Sequence, residues 1–289
     1  MRFSIILLAA AAAFFLAFVD LDPTDLTART MAQPASAEEL GRSLPPADTV
    51  SLLGVPISAE EAAAEVAARN PTARAIDAAV SRLGGLVVQS SHPGALEYAA
   101  RAYYQYKEKH PEAVRKPYFY FIDFGLDANT PRGYVFDMDA LEVVEGPFTV
   151  AHGSGSVTRG STLPTRFLNR SGSNATSLGL YVAQETYTFR GRAGGRPYKS
   201  IGLRLQGVSG EFNDAARARG IVVHGAPYVT AGRAGRSQGC PAMEQHLASK
   251  LIPQIANGGL VFHFSPNDAR WMAQDPWALP TDGRYALSE

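Results

Sequence analysis

The 289-residue sequence carries 27 basic and 27 acidic side chains, 46% apolar residues and a single cysteine. Zero net charge excludes the basic face that a nucleic-acid partner needs, and one cysteine excludes any disulfide within the chain. The apolar share is that of an ordinary globular domain with one sizeable core.

Phe3 to Val19 form an apolar run preceded by Arg2. The run is short of the roughly 20 residues of a membrane span. It resembles the core of a signal peptide, with Ala35-Ser36-Ala37 as a small-residue cleavage site. The spacer between run and site is longer than usual, so two alternatives stand: a cleaved signal peptide over 1–37, or an uncleaved N-terminal anchor. Both export the protein, to the periplasm or cell envelope, and the anchor is the only expected membrane contact. In an exported chain an odd cysteine either pairs between molecules or is a free, reactive thiol.

Residues 38–57, with Pro45, Pro46 and Pro56, read as a linker. A helical segment follows over 58–115. Ser58 and Glu61 form a capping-box pattern before EEAAAEVAARN, and Asn70-Pro71 precedes a second helix from Thr72 to Leu83. A third runs from Gly94 to about Lys109, with Leu96, Ala99, Ala100, Tyr103 and Tyr104 on one face.

From Pro117 the pattern changes to short, aromatic or β-branched runs bounded by turns: 118–124, 133–137, 141–152, 178–187, 201–205, 220–224 and 260–264. Strands in succession, not alternating with helices, predict a mainly β domain over 116–265, a sandwich or barrel of mixed sheets with the helical segment at its N-terminal side. The Gly/Ser/Arg-rich stretches 154–177 and 190–199 read as loops lining a cleft. The tail, 266–289, has no clear periodicity and is expected on the surface.

One stretch concentrates the chemistry: IVVHGAPYVTAGRAGRSQGCPAM, Ile221 to Met243. A short strand delivers His224 at its end, and Cys240 follows sixteen positions later among Gly225, Gly232, Gly235, Gly239, Arg233, Arg236 and Ser237. Pro241 then opens a run in which Met243, Leu247 and Leu251 recur at helical spacing. Proline is favoured at the first helical position, which places Cys240 at the N-cap. There the dipole and a nearby cation make a thiol more acidic than its free value of about 8.5. A nucleophile and a base in one glycine-rich segment predict a Cys–His catalytic pair.

At these residues the sequence resembles the L,D-transpeptidases of bacterial cell-wall synthesis, in the branch whose signature reads HGA, a loop, then GRSxGCPA. The matching residues are His224-Gly225-Ala226 and Gly235 to Ala242, supported upstream by FIDF (121–124), VAHG (150–153), SLGLYV (177–182), IGLRLQG (201–207) and FNDAAR (212–217). Gln238 and Ala242 depart from the wider family's histidine and Asn/Arg. The resemblance implies a thioester mechanism on peptidoglycan stem peptides. Cys240 attacks the carbonyl of the third residue of a tetrapeptide, usually diaminopimelate, and expels the terminal D-alanine. A stem amine then gives a 3→3 cross-link, or water gives carboxypeptidase trimming.

Within that scheme Cys240 is the nucleophile and His224 the base, with His152, also at a strand end before glycine, as rival base or substrate contact. The Gly239 and Cys240 N–H groups are candidates for an oxyanion hole. Arg236 is placed to hold a stem carboxylate, and Ser237 either donates to substrate or bonds its own turn. Tyr187, Tyr198 and Arg204 are expected along the cleft, His246 at the surface and His263 in the core. No CxxC or HxxxH pair accompanies Cys240, so neither a metal nor a cofactor is expected. The alternatives are a cell-wall cysteine endopeptidase, whose Cys usually precedes its His, and a non-catalytic wall-binding protein.

Overall fold

The computed structural model describes residues 49–52, 55–58 and 70–280. The apolar leader, the cleavage site and the helix expected after Ser58 lie outside the described residues. Two compact units divide at Ser58. In the first, β1 (Thr49–Leu52) and β2 (Val55–Ser58) pair as an antiparallel hairpin within the stretch read as linker. Ser58 is the last residue of β2.

The first helix described in the second unit is α1 (Pro71–Gly84). Asn70 caps it by accepting from the Thr72 and Ala73 N–H groups at 2.9 and 3.3 Å, and Pro71 occupies the first turn, where no N–H is required. Ile76, Ala79 and Leu83 recur at three and four residues and form its buried stripe. That stripe packs on α2 (Ala95–Lys109), which buries Ala99, Ala102, Tyr103 and Tyr106 and lies against the sheet.

The domain is mainly β. Eight strands form one mixed sheet in the order β13-β9-β8-β7-β14-β3-β4-β5. These are β3 (Tyr118–Asp123), β4 (Gly133–Asp137), β5 (Glu142–Phe148), β7 (Gly179–Ala193), β8 (Arg196–Gly207), β9 (Val222–Gly225), β13 (Ala242–Met243) and β14 (Leu260–Phe264). The pairs β14–β3 and β13–β9 are parallel and the rest antiparallel. Central parallel strands are covered on both faces and read as unbroken apolar runs, which is the pattern of YFYFI and LVFHF. Phe119, Phe121, Phe262 and Phe264 meet Tyr98, Tyr103 and Trp271 on one face. On the other, His263 packs against Tyr181 and Phe124, and Tyr120 stacks on Phe148.

Three sequence expectations change. The stretch 190–199 is strand, not loop: β7 and β8 continue as a long ribbon, closed at Gly194-Gly195 with φ of 54° and 78°. Two successive positive φ values make the turn whose twist matches a hairpin, and glycine takes them without strain. The tail does not merely lie on the surface. Asp268 caps α4 (Ala269–Gln274), and Trp271 is fully buried, its indole N–H donating to Asp275 at 2.8 Å. Finally, α3 (Gln245–Ile255) starts five residues beyond Cys240, with Glu244 at its N-cap. Ala242 and Met243 are held as strand by pairing with His224 and Gly225, and Ala242 also bridges Ala151. Tertiary pairing overrides the four-residue repeat.

Candidate active site

The segment between β9 and β13 is folded by short pairings. β10 (Val229–Thr230) and β11 (Arg233–Ala234) make a small hairpin, and β12 (Arg236–Ser237) runs parallel to β6 (His152–Gly153). The chain then turns through Gln238, Gly239 and Cys240 before β13 returns beside β9. Gly239 has φ +119°, a conformation other residues rarely adopt. A side chain on the facing Gly153 would come within 2.7 Å of the Gly239 Cα. Both glycines are demanded by the close approach of two backbones.

Side-chain bonds lock this turn. Ser237 Oγ donates to the Cys240 carbonyl at 2.6 Å and accepts from the Gly239 N–H at 3.1 Å. Thr176 Oγ1 donates to the Gly239 carbonyl at 3.2 Å and accepts from the Gly153 N–H at 2.9 Å. Ser237 therefore bonds its own turn, and the Gly239 N–H is engaged. The Cys240 N–H has no partner among the described residues.

Cys240 and His224 line one cleft of about 830 Å³, together with Tyr198, Arg219, Tyr228 and Arg236. The parallel register sets Ala242 beside His224, and the His224 N–H donates to the Pro241 carbonyl at 3.3 Å. The His224 ring is 2% exposed and stacks on Phe189 with centroids 4.0 Å apart and planes 10° from parallel. Its Nδ1 lies 3.0 Å from the Gly225 carbonyl, which can only accept, so Nδ1 carries the proton and Nε2 the lone pair. Burial lowers the imidazole to about 4.

The thiol is partly exposed, and its Sγ lies 3.8 Å from the Gly220 carbonyl. Its crowded surroundings push it above the ordinary thiol value, against the smaller opposing effects of the Val222 N–H and Arg219. This direction runs against the expectation of an acidified thiol: desolvation dominates, and the helix end expected to oppose it begins five residues later. At neutral pH the His224 imidazole is therefore uncharged.

His152 is 1% exposed and does not line the cleft. Arg132, fully buried and donating to the Val150 carbonyl at 2.8 Å, meets His152 Nδ1 at 2.9 Å. Guanidinium can only donate, so the Nδ1 lone pair is occupied, and Nε2–H is buried with no partner among the described residues. Burial first, then Arg132 and Arg236, lower His152 to about 3.

Of the other expected residues, Arg236 and Tyr198 line the cleft, and Arg236 Nη2 donates to the Ser161 carbonyl at 2.8 Å. Tyr187 and Arg204 are not among the lining residues. The Arg204 guanidinium sits 4.4 Å over the Tyr187 ring and pairs with Glu185 at 3.3 Å. His246 is exposed and His263 buried. The sequence reading missed Phe189, Arg219 and Tyr228 in the cleft. Phe189 lay between the strand expected to end at Tyr187 and the loop expected from Arg190, and nothing in residue type or spacing distinguishes Arg219 from Arg217 and Arg233.

Residues 88–264, more than half of the chain, match the L,D-transpeptidase catalytic domain family. The chain belongs to this family. Solved structures with similarity include an L,D-transpeptidase from Mycobacterium smegmatis, at 15% identity over 52% of this chain and 59% of that one, TM-score 0.32. Two others are L,D-transpeptidase 3 from Mycobacterium tuberculosis and an L,D-transpeptidase from Xylanimonas cellulosilytica. Each is 14% identical over 52% of this chain and 61% of its own, with TM-score 0.31. The chain thus spans about three-fifths of the length of these solved relatives. No curated protein matches it. Among the described residues no helix is long and apolar enough to cross a membrane.

Proposed function

We propose that this protein is a peptidoglycan L,D-transpeptidase acting in the cell envelope through a Cys240 thioester. The observation that carries the reading is the orientation of His224. Its Nδ1–H is bound to the Gly225 carbonyl, leaving the Nε2 lone pair available in the cleft that also holds the only thiol.

On this reading His224 Nε2 takes the proton from Cys240 Sγ as sulfur attacks the third-residue carbonyl of a tetrapeptide stem. The C=O π pair moves to oxygen, and the unpartnered Cys240 N–H receives the oxyanion. Collapse breaks the bond to the terminal D-alanine, whose nitrogen takes the proton back from the imidazolium. The thioester then passes its acyl group to a stem amine, which makes a 3→3 cross-link, or to water, which completes carboxypeptidase trimming. Arg236 has donors beyond the one given to Ser161 with which to hold a stem carboxylate.

Purified tetrapeptide muropeptides with the exported protein test this directly. Mass spectrometry should show D-alanine release together with 3→3 dimers or tripeptides. Cleavage at another bond of the stem would point to an endopeptidase, and an unchanged substrate to a binding protein.

A further inference from the structure

With α3 beginning at Gln245, the thiolate formed during attack lacks the helix end expected to support it. His224 on β9, Tyr198 on the ribbon, Tyr228 beyond β9 and Arg219 before it line the cleft with the sulfur, and Tyr187, outside that lining, is close enough to feel the thiol's charge. Arg190, Arg192 and Arg236 line the same cleft, Arg192 donating to the Gly195 carbonyl and Arg236 to that of Ser161. Like Arg132 and Arg236, which donate to carbonyls, Arg219 differs from the domain's carboxylate-paired arginines. Arg204 and Arg217 share Glu185, and Arg270 pairs with Glu211. Arg219 has no carboxylate partner among the described residues.

Its fork is nevertheless fixed. Nη2 donates to the Ala175 carbonyl at 2.7 Å and to Ser173 Oγ at 3.3 Å, and Nη1 to Ser177 Oγ at 3.3 Å. All three acceptors are neutral, so they orient the cation without cancelling its charge. The residue is half-buried, where an uncompensated charge is costly. The carbonyl of the next residue, Gly220, is the one that Sγ approaches at 3.8 Å. A cation held at a cost beside the one nucleophile is arranged for an anion that exists only during reaction.

We propose that Arg219 is a positioning residue that stabilises the Cys240 thiolate, taking the part a helix N-terminus would otherwise play. The inference rests on Cys240 being the nucleophile. When the proton passes from Sγ to His224 Nε2, the sulfur keeps the electron pair, and its charge meets a guanidinium already oriented by the Ala175 carbonyl and two serines. No reorganisation is needed at that moment. Arg219 acts on the acidity of the thiol and does not itself transfer a proton.

The test is the pH dependence of Cys240 alkylation by iodoacetamide in the full chain, with thermal melting as the check on folding. Arg219→Gln keeps a donor for Ala175 and removes the charge. It should leave about tenfold less thiolate at neutral pH and displace the alkylation midpoint upward, the scale of losing one nearby opposite charge. Arg219→Lys should recover most of the loss. A folded Arg219→Gln protein whose profile overlies the wild type overturns the proposal.

If the glutamine variant does not fold, the triple variant Arg190→Gln, Arg192→Gln, Arg236→Gln decides, since it leaves Arg219 as the one arginine lining the cleft among the described residues. Anionic iodoacetate should compete with neutral iodoacetamide better at low salt than at high salt, because a fixed cation attracts it. A salt-independent preference for iodoacetamide overturns the assignment. Muropeptide turnover separates this inference from the function it rests on. An Arg219-dependent profile without turnover supports the electrostatic role and defeats the transpeptidase reading. Turnover with an Arg219-independent profile does the reverse.

Discussion

Two His-Gly pairs end short strands in this domain, and each strand pairs in parallel with a segment of the cysteine loop. His152-Gly153 faces Arg236-Ser237, and His224-Gly225 faces Ala242-Met243. Both rings are buried, and burial lowers both below the ordinary imidazole range. They differ in what Nδ1 meets. His224 meets a carbonyl that accepts, and His152 meets a guanidinium that donates. The two rings are consequently opposite tautomers, one presenting a lone pair at Nε2 and the other a proton. One neighbouring atom decides which histidine can serve as a base.

The largest effect that sharpens this contrast is at the thiol. Cys240→Ser should abolish the covalent carbapenem adduct seen by intact mass, since a hydroxyl is far less readily ionised than a thiol. An adduct that persists in the variant removes Cys240 from the mechanism, and the comparison of histidines with it.

Next comes the base itself. His224→Ala should slow Cys240 acylation by about 10²–10⁴-fold, the usual contribution of a positioned general base. His152→Ala should act mainly on folding, because the Arg132 guanidinium loses a buried acceptor. We expect a loss of about 1–3 kcal/mol in denaturant unfolding, with acylation much less affected than in the His224 variant. Should acylation collapse in His152→Ala and survive in His224→Ala, the roles are the reverse of those proposed.

A smaller effect concerns pH and stability. The folded His224 value of about 4 lies below the unfolded value near 6.5. The unfolded state binds the extra proton between those values, so this histidine's contribution is complete above about 6.5 and is lost as pH falls toward 4. His152 and His263 act in the same direction. Asp123 and Asp275, raised by burial, act in the opposite one. The net curve is therefore less informative than its change. Replacing His224 by Gln should reduce the slope of unfolding free energy against pH in this window by about 1.4 kcal/mol per pH unit, one proton's worth. An unchanged slope would mean that His224 titrates normally in the fold.

The smallest predicted effect is on the thiol of the wild type. With the helix end removed from Cys240, alkylation by a neutral reagent should show an apparent pKa above the free value of about 8.5. A midpoint below that value would restore the acidified thiol expected of an N-cap position.

Local patterns foretold the elements that close on themselves. Asn70-Pro71 marked the start of α1, because a cap and the helix it opens are adjacent in sequence. The apolar run LVFHF matched β14 over Leu260–Phe264, since a central parallel strand needs apolar residues on both faces. His224, Cys240 and the glycines between them were recognisable because their chemistry is rare and their spacing short. Other features depend on partners distant in the chain. β13 exists because Ala242 and Met243 meet His224 and Gly225, and that pairing delays α3 and deprives Cys240 of a helix end. Ser237 was ambiguous until its hydroxyl closed the turn at Cys240, and His152 until Arg132 reached its ring. Arg219 carries no distinguishing neighbour in sequence, and its place beside the thiol comes from Ala175, Ser173 and Ser177, more than 40 residues away. Residue types and short spacings showed which reactive groups the sequence brings close together. Proton positions and charges in the cleft depend on contacts between distant segments, and only the tertiary structure decided those.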